Sequence, residues 1–89
     1  MNHKAFVPNK KVTVRVNEGD YQGYYPSRIE EVLDDSLILG LPFIGMVPVP
    51  IRAGERISVF SSTRDAVYRV DGDVIKRQLE PIPLLCMVI

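Results

Sequence analysis

Two arginines four residues apart are the residues of this 89-residue chain whose types and spacing best suit ligand binding. Arg52 and Arg56 carry guanidinium groups, which bind phosphate oxygens in bidentate fashion and stack on nucleobases. A second pattern, Asp34 to Gly40, combines two turn-forming aspartates with a serine and a glycine. The six glycines are scattered singly, so no phosphate-binding glycine loop accompanies them. We interpret both patterns as turn and surface residues.

Catalytic and metal-binding chemistry has little support among the residue types. His3 is the sole histidine, and it lies near an N-terminus that we expect to be frayed, which leaves no histidine-based triad or metal cluster. Cys86 is the sole cysteine, which excludes an intrachain disulfide and a thiolate zinc site. The acidic pairs Glu30-Glu31 and Asp34-Asp35 lack the spacing of a calcium loop. We predict that the chain is not an enzyme and holds neither a metal nor a resident cofactor.

Charge and hydropathy exclude two classes of partner. Lysine and arginine total 11, as do aspartate and glutamate, so the formal net charge is 0. Without a global positive field, we expect no nucleic-acid binding. The chain also has no apolar run approaching the roughly 20 residues that span a bilayer, and its N-terminus lacks a secretory apolar segment. These features predict a cytoplasmic protein with no membrane insertion.

Periodicity predicts an all-β fold made of short antiparallel strands. Lys11 to Asn17 alternates cleanly, with three valines on one face and polar side chains on the other. A second strand is expected at Tyr21–Leu33, with a bulge near Glu30-Glu31, and a tight turn at Asp34 to Ser36 follows it. Further strands are expected at Leu37–Leu41, Arg56–Ser62 and Leu84–Ile89. The predicted core is Val12, Val14, Val16, Ile29, Leu37, Leu39, Ile57, Val59, Tyr68, Val70 and Val74. Such a set is typical of a small closed barrel or sandwich.

Two segments have less obvious structure. Asp71-Gly72 resembles a hairpin turn, but the apolar parity runs unbroken from Ala66 to Val74, so we predict one long strand with close packing or a kink at the glycine. Leu41 to Pro50 contains three prolines and Gly45, which predicts a loop or a broken edge strand.

The run YPSRIEEVLDDSLILG from Tyr25 to Gly40 resembles the N-terminal domain of flagellar brake (YcgR-like) proteins, which precedes a cyclic di-GMP-binding PilZ domain. The resemblance continues through IRAGERISVF, AVYRVDGDVIKR and PIPLLCMVI, and covers the chain from about Lys11 to Ile89. It implies a six-stranded antiparallel β-barrel of split-barrel type, in agreement with the strand count. It also implies that residues 1–89 are one domain of a longer chain with a C-terminal PilZ domain.

The resemblance implies a non-enzymatic regulatory and adaptor domain of a cyclic di-GMP-responsive protein that controls flagellar motility. Its implied partners are the PilZ domain of the same protein, cyclic di-GMP through that domain, and flagellar motor proteins. In that family an RxxxR pair followed by (D/N)xSxxG binds the nucleotide. Here Asp34 to Gly40 precedes Arg52 and Arg56, and its glycine comes one place late, so no residue of this chain is expected to bind cyclic di-GMP.

Five residues are candidates for an interdomain or partner surface: Tyr24, Arg28, Phe43, Met46 and Arg69. Tyrosine and arginine are enriched at interfaces, and loops display side chains that a barrel does not need. Alternatively, Phe43 and Met46 plug one barrel end, and Ser27-Arg28 is a small inward serine followed by a solvated arginine. Two other functions stay open, a flavin-binding split-barrel protein and a self-associating small barrel, the latter a homo-oligomer.

Overall fold

Eight strands form the regular structure of residues 3–89, the part of the chain that the computed structural model describes. They are β1 (Lys11–Val16), β2 (Gly23–Val32), β3 (Ser36–Gly40), β4 (Phe43–Ile44), β5 (Val47–Pro48), β6 (Arg56–Ser62), β7 (Val67–Gln78) and β8 (Leu84–Val88). No helix in this part of the chain has the length and apolar character needed to cross a membrane.

Six strands close into an antiparallel barrel in the order β1-β2-β3-β8-β7-β6, with β6 pairing back onto β1. This confirms the predicted six-stranded antiparallel β-barrel. The two longest strands each serve two partners: β2 pairs first with β1 and then with β3, and β7 pairs first with β6 and then with β8. Register shifts lie between Ile29 and Glu31 in β2 and between Val74 and Lys76 in β7. The first shift confirms the predicted bulge.

The core lies inside the barrel and follows the period-two pattern of the sequence. All predicted core residues contribute, although Tyr68 and Val70 are only partly buried and pack against the others. The structure adds Leu85 and Met87 from β8, both fully buried. Because neighbouring side chains on a strand point to opposite faces, the register of β1, β6 and β8 fixes which residues remain outside.

Gly72 lies where β7 crosses closest to β8. A methyl group at this position would collide with the carbonyl oxygen of Val88 and lie 2.8 Å from Cγ of Met87. The predicted single long strand through Asp71-Gly72 is confirmed, and so is the close packing at the glycine. Only a residue without a side chain permits this crossing.

The proline-rich segment after β3 both closes the barrel and displays side chains. Its flanks are buried: Leu41, Pro42, Val49 and Ile51. Between them, β4 and β5 form a separate two-stranded hairpin that turns at Gly45, where φ is +60°. The sequence predicted a loop or broken strand here, and the hairpin strands are only two residues long because prolines flank them.

The expectation of a frayed N-terminus is wrong for the residues from His3 onward. Ala5 is fully buried and Phe6 is 5% exposed, and both belong to the core. The Ser61 hydroxyl donates a hydrogen bond of 2.5 Å to the carbonyl oxygen of Ala5. The His3 ring packs against Tyr68 with ring centroids 4.5 Å apart and the two planes tilted by 58°. Packing against the barrel thus orders a segment whose own sequence has no strand periodicity.

Replacing Gly72 with alanine should destabilise the barrel by at least about 1–3 kcal/mol, since the backbone of β8 must shift to relieve the overlap. Gly40→Ala is the matched control, because a methyl group there meets Oγ of Ser27 at 3.7 Å, an ordinary contact. Urea unfolding followed by circular dichroism gives both free energies. Equal stability of the two variants would show that the tight crossing is not required.

Replacing Phe6 with alanine should lower the free energy of unfolding by about 3–5 kcal/mol, the usual effect of removing a buried aromatic side chain. Val7→Ala, at a neighbouring position that is 40% exposed, should change it by much less. Thermal or urea melts of both variants measure the difference. If Phe6→Ala melts like the parent protein, the N-terminal segment does not belong to the core.

Candidate functional site

Four adjacent strands bring aromatic and cationic side chains together on the outside of the barrel. Arg15 of β1 lies opposite Tyr24 of β2, and Phe60 of β6 lies opposite Arg69 of β7. Thr13 of β1, two residues before Arg15, is in register with Phe60 and links the two pairs. Residues that are distant in sequence therefore share one outward surface.

Ring and guanidinium contacts join these side chains into a row. The Tyr24 and Phe60 ring centroids are 6.0 Å apart at 49°. Cζ of Arg15 lies 5.6 Å from the Tyr24 ring centroid, and Cζ of Arg69 lies 5.7 Å from that of Phe60. At exposed sites each such contact contributes on the order of 0.5–1 kcal/mol. We call Arg15, Tyr24, Phe60 and Arg69 the cation–aromatic row.

Asp71 holds one end of the row in place. Its Oδ1 accepts a hydrogen bond of 2.8 Å from Nε of Arg69. That hydrogen bond lowers the pKa of the Asp71 carboxyl and, together with the charge of the carboxylate, raises the pKa of Arg69. Arg15, at the other end, has no ion pair with any carboxylate of residues 3–89. The contact with Asp71 therefore orients the guanidinium of Arg69 and partly neutralises its charge, whereas Arg15 has no such partner among the described residues.

Two more cations extend the same face along β1 and β2. Lys11 and Arg28 occupy directly opposite positions in the two strands, and both are exposed. Neither forms an ion pair with a carboxylate of the described residues. Ser27, beside Arg28, is part-buried, and its hydroxyl donates a 2.6 Å hydrogen bond to the carbonyl oxygen of Gly40. The serine is thus packed and the arginine that follows it is exposed, as in one of the two arrangements considered from the sequence.

Phe43 and Met46 lie in the β4–β5 hairpin, apart from the barrel sheet that carries the row. Phe43 is 38% exposed and Met46 is 92% exposed. The flanking residues Leu41, Val49 and Ile51 of the same segment are buried and belong to the core. The five predicted surface residues therefore divide into Tyr24 and Arg69 in the row, Arg28 at its extension, and Phe43 with Met46 on the hairpin.

The two arginines with phosphate-binding spacing serve other roles. Nη1 of Arg56 donates to Oδ1 of Asp73 across β6 and β7 at 3.0 Å. Arg52 lies in a tight turn, where its backbone N–H donates to a carboxylate oxygen of Glu55 at 3.1 Å. The serine of the second pattern, Ser36, begins β3, and two strands separate it from Arg56. The fold does not assemble these patterns into one site.

Arg15 and Phe60 are members of the row that sequence reasoning did not include among its candidates. The available signal was parity: Phe60 alternates with buried Ile57 and Val59, so an aromatic ring had to face outward. An outward aromatic ring on a strand can be assigned to a cluster of surface side chains only when the residues opposite it on the neighbouring strands are known. Those neighbours depend on pairing between strands far apart in the chain.

Groups suited to metal binding or nucleophilic chemistry do not converge within the described residues. No group of three or more histidine, cysteine, aspartate or glutamate side chains there is placed to hold a metal ion. Cys86 lies in an outer groove with Ile38, Lys76 and Leu84. Burial raises the pKa of its thiol, so the thiolate is scarce at neutral pH.

Comparison with known families gives one match over most of the chain. The PilZNR family model, described as flagellar protein YcgR, matches residues 7–89. The matched region contains all eight strands, and with them every residue of the cation–aromatic row. No curated protein and no solved structure matches the chain.

Replacing Asp71 with asparagine should lower the melting temperature at pH 7 and remove part of its acid dependence. The folded-state pKa of Asp71 is lowered, so its pair with Arg69 stabilises the fold above the ordinary carboxyl pKa of about 3.9. That stabilisation is lost as the pH falls through the lowered pKa. Melts across this range should therefore show the parent and variant converging in acid.

Asp20→Asn provides the control, because Asp20 is exposed and has no ion pair among the described residues. Its melting temperature should follow that of the parent at every pH. Since Asp71 and Arg69 are both well exposed, the expected difference is small. Identical melting temperatures of parent and Asp71→Asn at pH 7 would show that the pair does not stabilise the fold.

Proposed function

The chain belongs to the PilZNR family of flagellar protein YcgR, and from this membership we propose that it is a non-enzymatic regulatory and adaptor domain in cyclic di-GMP-dependent control of flagellar motility. The match over residues 7–89 is the observation that carries the proposal, because it spans the whole barrel. The family implies association with a PilZ domain and with cyclic di-GMP signalling. The setting we propose is the cytoplasm.

A closed barrel suits an adaptor that moves as one body. The sheet encloses one continuous core, which extends from Ala5 and Phe6 in the N-terminal segment to Met87 in β8. Cyclic di-GMP bound by the adjoining PilZ domain would change how the two domains are arranged only if the nucleotide binds one arrangement more tightly than the other. In this proposal the barrel keeps its structure and presents a different outer surface to flagellar motor proteins.

The distribution of arginines supports assigning nucleotide binding to the PilZ domain. Cyclic di-GMP has two phosphates and two guanines, which need several convergent cationic and polar groups. Arg56 is paired with Asp73, and Arg52 belongs to a turn closed by Glu55. Neither is joined by the serine and glycine that would complete a nucleotide site.

Calorimetric titration of residues 1–89 with cyclic di-GMP should give no saturable heat at micromolar nucleotide. A longer protein that continues through a PilZ domain with intact motifs should bind. Arg52→Ala and Arg56→Ala in that longer protein should leave its affinity within about twofold of the parent, as expected for residues outside the site. Saturable binding by the 89 residues alone, lost in either alanine variant, would contradict this assignment.

The adaptor role is tested in cells with the longer protein. Removing residues 1–89 should abolish the reduction of swimming at raised cyclic di-GMP while the remaining PilZ domain still binds nucleotide. A truncated protein that still restrains swimming would show that the barrel is dispensable for the output.

A further inference from the structure

Lys11 and Arg28 form an unfavourable arrangement that the fold does not relieve. Like charges at directly opposite positions of neighbouring strands destabilise a sheet. Glu30 lines the same shallow depression as Lys11, Pro26, Arg28 and Gly40, yet it forms no ion pair with either cation. The chain has net charge 0, yet no carboxylate of residues 3–89 forms an ion pair with Lys11 or Arg28.

The cation pair and the cation–aromatic row are one continuous surface. Outward positions alternate along β1 as Lys11, Thr13 and Arg15, and their partners in β2 are Arg28, Pro26 and Tyr24. Thr13 is also in register with Phe60. Along this surface, two cations without ion pairs to the described residues lie at one end, a proline and a threonine follow, and the two tilted rings of Tyr24 and Phe60 lie at the other end. Asp71, at its edge, is already engaged by Arg69.

We propose that this face docks an acidic segment of a protein partner. Carboxylates of the segment bind Lys11 and Arg28, and an apolar or aromatic side chain of the segment packs against Tyr24 and Phe60. Charge complementarity favours this occupant, because each carboxylate relieves a repulsion that the free domain retains. Exposed tyrosine and arginine are also the side chains that most often dominate binding at interfaces. The proposal rests on the adaptor role and specifies the chemistry of the partner.

Two other occupants fit the face less well. A second copy joined through a two-fold axis that passes through this pair would bring Lys11 and Arg28 close to the same cations of its partner, which increases the repulsion. Nucleic acid binds through a broad positive field along many phosphates, and this chain has balanced charge. Both alternatives become outcomes of the experiment.

The test is a titration of the 89-residue chain with the peptide acetyl-Glu-Glu-Phe-Glu-Glu-amide, followed by amide chemical shifts in nitrogen–proton spectra. Shifts should be confined to β1, β2 and the Phe60 region of β6, and should weaken as salt is added. The peptide with glutamine in place of glutamate should cause much smaller shifts. Charge-reversal variants Lys11→Glu and Arg28→Glu should each reduce the affinity about tenfold or more.

Lys76→Glu is the matched control, since Lys76 is an exposed cation on β7 that lines the separate groove beside Cys86. Its affinity should stay within about twofold of the parent. Arg28→Glu converts a like-charge pair into an opposite-charge pair, so its melting temperature should not fall. Lost binding in a variant of undiminished stability cannot then be attributed to unfolding.

Several results would overturn the proposal. These are shifts located elsewhere, equal binding of the glutamine peptide, binding of oligo-thymidine at this face in preference to the acidic peptide, and a dimer in sedimentation that Arg28→Glu dissociates. The titration contains no nucleotide and no PilZ domain. Its failure therefore leaves the motility result with the truncated longer protein unaffected, and the two proposals fail separately.

Discussion

Closure of the six-stranded sheet requires β2 and β7 each to pair with two different strands along their length. A strand that changes partner has to bend, and each bends at a register shift. Where β7 then meets β8, the backbones come so close that only Gly72 fits. A single open sheet of this size would have two strands without a second partner, whereas in the closed sheet every strand pairs with two others. The continuous core and the segments that cover its ends depend on that closure.

Closure also limits how this domain can meet other molecules. A closed barrel offers only short stretches of strand edge for sheet extension, so outward side chains and the connecting segments provide most of the surface for contacts. Pro48 lies within β5, and Pro42 and Pro50 flank the β4–β5 hairpin, which restricts ladder hydrogen bonds there. The outward surface of β1, β2, β6 and β7 carries interface-type side chains on strands of the barrel sheet.

The outer surface and the core obey different physical demands. Inside, Val14, Ile57 and Leu85 are selected by volume and by removal from water. Outside, Tyr24 remains 63% exposed although it is a large ring, and Lys11 lies opposite Arg28 with no ion pair to a carboxylate of the described residues. Neither outer feature stabilises the isolated barrel much. Their presence on one face is the basis of the docking role that we propose for it.

The sequence by itself determined the strands that alternate, the buried parity of β1 and β3, the bulge in β2 and the unbroken course of β7 through Gly72. These follow from local period-two patterning, which each strand carries in its own residues. Tertiary structure alone decided the burial of Ala5 and Phe6, the division of the proline-rich segment into buried flanks and an exposed hairpin, and the meeting of Arg15, Tyr24, Phe60 and Arg69. Those outcomes depend on which strands become neighbours and on the space left at the barrel ends, and pairing between residues distant in the chain is not encoded in the periodicity of any one segment.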